Sequence, residues 1–180
     1  MLSGDSYMYQ QFNRYKILRV FFDEPNKKFQ LRELVRITGI SLPSVKQHVE
    51  VLLKHGFLHE VKGGVYKGYR SSMNENYRIF KRNDLLVRLR DCGLVKKIEE
   101  RFTPNSIVLY GSAVDGRDDE RGDVDIFVQS NAGDIELSKY EHKLKRKITL
   151  LFEPDMEKID DKLKNTLANG IVLSGFLKVV

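Results

Sequence analysis

The stretch Ile107 to Val128, IVLYGSAVDGRDDERGDVDIFV, decides how this chain is read. An apolar run, Ile107 to Tyr110, ends in Gly111-Ser112; a polar excursion of ten residues follows; a second apolar run then carries Asp123 and Asp125. Side chains alternate along a strand, so Asp123 and Asp125 share one face while Val124 is buried behind them. Two carboxylates held side by side repel unless a proton or a cation lies between them, and a hard, oxygen-liganded ion such as Mg²⁺ suits them best. A glycine at the end of the first strand lets the backbone come close to a phosphate, and Ser112 adds a hydroxyl and an N–H if a helix opens there. The expected ligand is a nucleoside triphosphate with Mg²⁺, held by Gly111 and Ser112 at one end and by Asp123 and Asp125 at the other. A solvated acidic loop would need no apolar run on either side.

Gly111-Ser112, three residues, Gly116, six residues and Asp123-Val124-Asp125 together resemble the signature of the DNA polymerase beta-type nucleotidyltransferases, most of all their minimal branch. The likeness spans roughly residues 94–180, the size of a small domain. It implies a small mixed sheet flanked by helices, with Asp123 and Asp125 as catalytic carboxylates and Mg²⁺ ligands. It implies transfer of a nucleoside monophosphate to a hydroxyl with release of pyrophosphate. One version of that activity is an autoregulating antitoxin that adenylylates a partner ribonuclease toxin. The sequence departs from the family pattern in two ways. The third carboxylate of the family falls, in the run Ile148-Thr149-Leu150-Leu151, on Thr149, which is neither a general base at neutral pH nor a good metal ligand. Gly122 stands where a serine commonly precedes the acidic pair, and Asp115 where an arginine is common before the second glycine. Transfer would then run with two carboxylates alone, with Glu153 or Asp155 reaching in, or with the substrate completing the coordination. Loss of transfer, leaving a nucleotide sensor or dimerisation module, is the other outcome.

Charge is distributed as unevenly as the motif. Residues 1–100 hold 19 Lys and Arg against 11 Asp and Glu, net +8, whereas residues 101–180 hold 12 against 14, net −2. The asymmetry suggests a polyanion-binding surface upstream of an acidic, metal-using domain. No stretch has the length of a membrane span and the first residues lack the pattern of a signal peptide, so a cytoplasmic protein is expected. The lone Cys92 excludes an internal disulfide and a cysteine-based zinc site, and is expected to pack in a core.

Upstream of the motif, helices are expected over 12–22, over 29–37 with a left-handed stop at Gly39, and from Ser41, with Pro43 in the first turn and Val45, Val49, Leu52 and Leu53 inward. Strands are expected over 57–62 and 69–80, joined through Lys62-Gly63-Gly64 and Lys67-Gly68. The run from Leu42 to Leu58 resembles the recognition helix and exit of bacterial and archaeal winged-helix regulators. That resemblance implies DNA binding, with Pro43, Ser44, Lys46 and Gln47 entering the major groove and Lys54, Lys62, Lys67 and Arg70 on phosphates. The expected fold is therefore α+β: a winged helix-turn-helix over 10–82, a linker helix over 83–93 capped by Asn83, and a nucleotidyltransferase-like domain over 94–180. The linker's stripe of Leu85, Leu86 and Leu89 lacks a local partner, so it lies between the domains or pairs with a second copy; the resemblance to regulators that bind paired half-sites implies a homodimer, with a solvent-bridging linker helix as the alternative. Further helices are expected over 134–146 and 156–167, a strand over 148–152, and short closing strands after Gly170. The cluster Lys143, Lys145, Arg146 and Lys147 is either a triphosphate contact or a solvated helix face.

Overall fold

The computed structural model describes residues 12–62 and 67–178, and the chain divides into two compact units, Met1–Lys81 and Arg82–Val180. In the first, helices α1 (Asn13–Asp23), α2 (Leu31–Thr38) and α3 (Leu42–Lys54) precede strands β1 (Leu58–Val61) and β2 (Gly68–Ser71). Ile17, Phe21, Leu34, Val45, Val49 and Leu52 are buried together, so one apolar stripe from each helix builds the core. Gly39 stops α2 in the left-handed region, at φ 71°, with its N–H returned to the Val35 carbonyl. That leaves two residues before α3, which accepts Pro43 in a first turn that has no use for its N–H. The strands pair antiparallel, Leu58 opposite Ser71 through Val61 opposite Gly68. The expected Gly63-Gly64 connection lies outside the described residues.

The second strand is much shorter than expected. It stops at Ser71, and helix α4 runs Glu75–Asp91 through residues expected partly as strand and partly as a separate linker. Asn74 explains the change: its Oδ1 accepts the Tyr77 N–H at 2.9 Å while its Nδ2 donates to the Gly56 carbonyl at 2.8 Å. A side-chain acceptor three residues ahead of an N–H is how a helix start is satisfied. Tyr77 and Ile79, which would share a face in a strand, differ completely in burial: Tyr77 is fully buried and donates its hydroxyl to the Phe21 carbonyl at 2.6 Å, whereas Ile79 is exposed. Leu85 and Leu89, further along α4, join the core of the second unit. The stripe that suggested a second copy is thus covered within this chain.

The second unit is built on a four-stranded sheet in the order β5-β4-β3-β6, formed by β3 (Ser106–Tyr110), β4 (Val124–Val128), β5 (Ile148–Phe152) and β6 (Ile171–Gly175). β3 is antiparallel to β4 and β6, and β4 runs parallel to β5. Alternation divides β3, β4 and β5 between two cores. Ile107, Leu109, Val124, Ile126 and Val128 pack with residues of α4, of α5 (Leu94–Phe102) and of α6 (Ser138–Leu144). Val108 and Phe127 face the other way, toward Met156, Ile159 and Leu167.

Helix α5 was not expected, and α6 is shorter than 134–146. The expected helix over 156–167 is a 3-10 turn, Met156–Lys158, followed by α7 (Asp161–Ala168). Two aspartates make that division. Asp155 accepts from the Glu157 N–H to start the turn, and Asp160 accepts from the Leu163 N–H to cap α7. A single strand, β6, takes the place of several short ones after Gly170.

Candidate active site

Asp123 and Asp125 stand at the start of β4, on the same sheet face as Phe127, with Val124 fully buried on the other. Tyr110 is the cross-strand partner of Asp125 on one side and Thr149 on the other, so three side chains of three strands share a row. The Thr149 hydroxyl donates to Asp123 Oδ2 at 3.2 Å, which puts it in contact with the acidic pair. Burial, and secondarily the charge of Asp123, push the Asp125 carboxyl above the ordinary carboxylate range. Burial likewise raises the Tyr110 phenol, with the Asp125 charge adding to it.

Gly111 turns the chain at the end of β3 with φ 77°, and a 3-10 turn, Gly111–Asp115, opens there. A methyl group at this position would lie 2.6 Å from Asp125 Oδ2, too close for a non-bonded contact, so the carboxylate would have to move. Gly111 is therefore required twice, by its backbone and by the carboxylate seated against its Cα. Gly111→Ala is expected to cost about 1–3 kcal/mol of stability from the forced φ alone. It should also displace Asp125, read as a lower midpoint in denaturant together with weaker Mg²⁺-dependent nucleotide binding.

The excursion between the strands is pinned rather than loose. Asp119 Oδ1 accepts the N–H groups of Arg121 at 2.9 Å and Gly122 at 3.1 Å, and the Arg121 N–H, with Gly122 behind it, holds that carboxyl below its usual range. Arg146 donates from Nε to the Gly122 carbonyl at 2.8 Å and from Nη1 to Asp118 Oδ2 at 2.6 Å, and the Arg146 and Asp118 side chains are only 7% and 4% exposed. Arg146 comes from the turn after α6, where Lys145 takes a left-handed conformation and Arg88 Nη2 donates to the Leu144 carbonyl at 2.6 Å. Of the basic cluster, Arg146 is thus a structural anchor for the loop that ends in Asp123, while Lys143, Lys145 and Lys147 are exposed.

Beside Gly111 and Ser112 opens a cleft of about 870 Å³ whose far wall is α7, with Lys162, Asn165 and Thr166, and whose rim carries Arg117. This volume falls in the range of small-molecule sites. The two cations, Arg117 and Lys162, were not singled out by sequence reasoning. Their only signal is charge, which they share with many surface residues. Glu153 and Asp155 do not reach the pair. They follow the far end of β5, where the Glu153 N–H donates to the Val128 carbonyl and the Glu153 carboxylate accepts the Asp155 N–H.

Two carboxylates near a cleft fit a hard cation that takes its remaining ligands from water and phosphate, as Mg²⁺ does. Among the described residues no third His, Cys, Asp or Glu completes a metal-ligating group. Asp123 and Asp125 would hold the ion, which supplies charge neutralisation at a transferring phosphoryl group.

In the first unit, Pro43, Lys46, Gln47 and Lys54 are exposed on or at the end of α3, and Ser44 is half-buried. Lys62 and Lys67 are exposed, and Arg70 is half-buried on β2. Lys46 lies 4.0 Å from Glu50, and Lys67 lies 3.2 Å from Glu60. Exposed pairs of this kind are weak enough to yield to a phosphate.

The family model of the nucleotidyltransferase domain matches residues 91–173. That span begins at the last residue of α4, ends inside β6, and takes in Gly111-Ser112, both aspartates and the cleft. Over those residues the second unit is similar to a nucleotidyltransferase domain. Neither a curated protein nor a solved structure matches the chain. No helix among the described residues is long and apolar enough to cross a membrane.

Proposed function

We propose that the second unit binds a nucleoside triphosphate with Mg²⁺ and transfers its nucleoside monophosphate to a hydroxyl. Gly111 and Ser112 receive the phosphates, Arg117 and Lys162 balance their charge, and Asp123 and Asp125 hold the metal. The observation that supports this reading is the seating of Asp125 against Gly111, a residue that also lines the cleft. The chain's residues bind and orient: the cleft admits the triphosphate, the pinned loop fixes Asp123, and burial of Asp125 makes a cation at the pair favourable. The metal supplies neutralisation of the charge on the phosphoryl group, and pyrophosphate leaves toward Arg117 and Lys162.

The first unit, on the same proposal, is a winged helix that binds DNA. Gln47 and Ser44 read base edges, aided by Pro43 and Lys46, while Lys54, Lys62, Lys67 and Arg70 hold phosphates. The two activities together suit an autoregulating antitoxin-type enzyme with a partner toxin, acting as a homodimer on paired half-sites in the cytoplasm. The test is incubation of purified protein with each labelled triphosphate and Mg²⁺. Label transferred to protein or to an added acceptor, and lost in Asp123→Asn/Asp125→Asn, is the expected result. A second reading is favoured by Thr149: with a hydroxyl in place of a general base, the domain binds nucleotide as a sensor for the DNA-binding unit. Metal-dependent binding with no transfer to any acceptor would select it.

A further inference from the structure

The residue next to the acidic pair is itself an alcohol of the class that nucleotidyl transfer uses as acceptor. Thr149 Oγ1 is 3.2 Å from Asp123 Oδ2, and an ionised carboxylate oxygen can only accept, so the hydroxyl is the donor. Its hydrogen is thereby turned toward Asp123, and both lone pairs of Oγ1 are left free. Parallel pairing of β4 with β5 sets Thr149 beside Asp125, on the strand face that carries both aspartates. The residue is also exposed, so a phosphoryl group can come to it from solvent. A hydroxyl that lines the cleft, that of Thr166, differs. It donates to the Lys162 carbonyl of its own helix α7 at 2.9 Å, so its hydrogen is committed to the backbone.

We propose that Thr149 is an acceptor for the domain's own transfer reaction, so that the protein nucleotidylates itself at this hydroxyl. Resting on the nucleotide-binding reading above, the step is a single displacement. Oγ1 attacks the α-phosphorus of the triphosphate, and a Thr149 Oγ1–P bond forms as the bond from the α-phosphorus to the bridging oxygen of the β-phosphate breaks. Pyrophosphate leaves with that oxygen, and the hydroxyl proton departs along the bond already made to Asp123 and passes to solvent. No oxidant or further reactant is required. A nucleoside monophosphate on Thr149 would cover the acidic pair, so each modified molecule would be shut to further turnover.

The experiment uses the full chain with each of the four common ribonucleoside triphosphates and Mg²⁺, followed by intact-mass measurement and fragment mapping. Equilibrium binding of a non-hydrolysable triphosphate is measured in parallel. The expected result is a mass increase of one nucleoside monophosphate, mapped to Thr149, kept in Thr149→Ser and absent in Thr149→Val although Thr149→Val still binds the analogue. Bound analogue with no adduct, with an adduct at another residue, or with Thr149→Val modified like the parent, overturns the proposal while leaving nucleotide binding standing. Absence of analogue binding in the parent protein overturns the nucleotide-binding reading itself, and this proposal with it.

Discussion

Asparagine at position 125 is expected to abolish Mg²⁺-dependent nucleotide binding and, at neutral pH, to make the second unit more stable. The two effects have one cause. Asp125 is partly desolvated against Gly111 and faces the charge of Asp123, so its carboxyl ionises at higher pH in the folded chain than in the unfolded one. Between those two values the folded state holds the extra proton, so this residue's contribution to stability falls as pH rises through that window and stays unfavourable above it. An amide of nearly the same shape removes the penalty together with the charge a cation would meet. The stabilisation by Asp125→Asn should therefore be present at neutral pH and fade as the solution is acidified below the ordinary carboxylate range. Denaturant unfolding at a series of pH values, without Mg²⁺, measures it. Adding Mg²⁺ should narrow the gap by stabilising only the parent. A variant that is less stable than the parent at every pH would show that Asp125 is an ordinary structural carboxylate.

Loss of Arg146 is expected to be the most damaging single change in the second unit. Its guanidinium joins the Asp118 carboxylate and the Gly122 carbonyl in a nearly water-free setting. Removing one member of a buried ion pair takes a charged partner from a desolvated group, which costs about 3–5 kcal/mol. Arg146→Met should lower stability on that scale and weaken nucleotide binding, because the loop bearing Gly122 delivers Asp123. Arg146→Lys keeps the charge but lacks the planar fork that meets two acceptors at once, and should recover only part of the loss. Asp118→Leu combined with Arg146→Met, which removes both charges, should recover more of the stability than Arg146→Met alone retains. If the double variant is as unstable as Arg146→Met, the pair is not what the loop depends on.

These two sites differ in how far the sequence revealed them. The acidic pair was legible because strand alternation and flanking apolar runs are local signals, and Gly111 is read from the same stretch. Thr149 was legible as a position, through the short run Ile148 to Leu151, although its bond to Asp123 was not. The Arg146–Asp118 pair spans 28 residues and lies among several acidic and several basic residues of equal standing, so no local pattern selects it. Helix α4 was misread because Tyr77 and Ile79 imitate alternation, and the decisive group, Asn74, works through bonds to Gly56 and Tyr77 that only the folded chain supplies. Helix α5 did carry the helical spacing of Leu94, Val95 and Ile98, all buried. Gly93, at φ 82°, ends one helix and begins the next at once, so a single stop signal stands where two helices meet.

On the proposed function, Asp123, Asp125 and the cleft beside Gly111 act together as one metal-dependent triphosphate site. Calorimetric titration of the purified chain with a non-hydrolysable nucleoside triphosphate, with Mg²⁺ and then with the metal chelated, tests it directly. Saturable binding of one nucleotide per domain that vanishes on chelation is the predicted result. Binding of equal strength with and without the metal, or none in either condition, would contradict it.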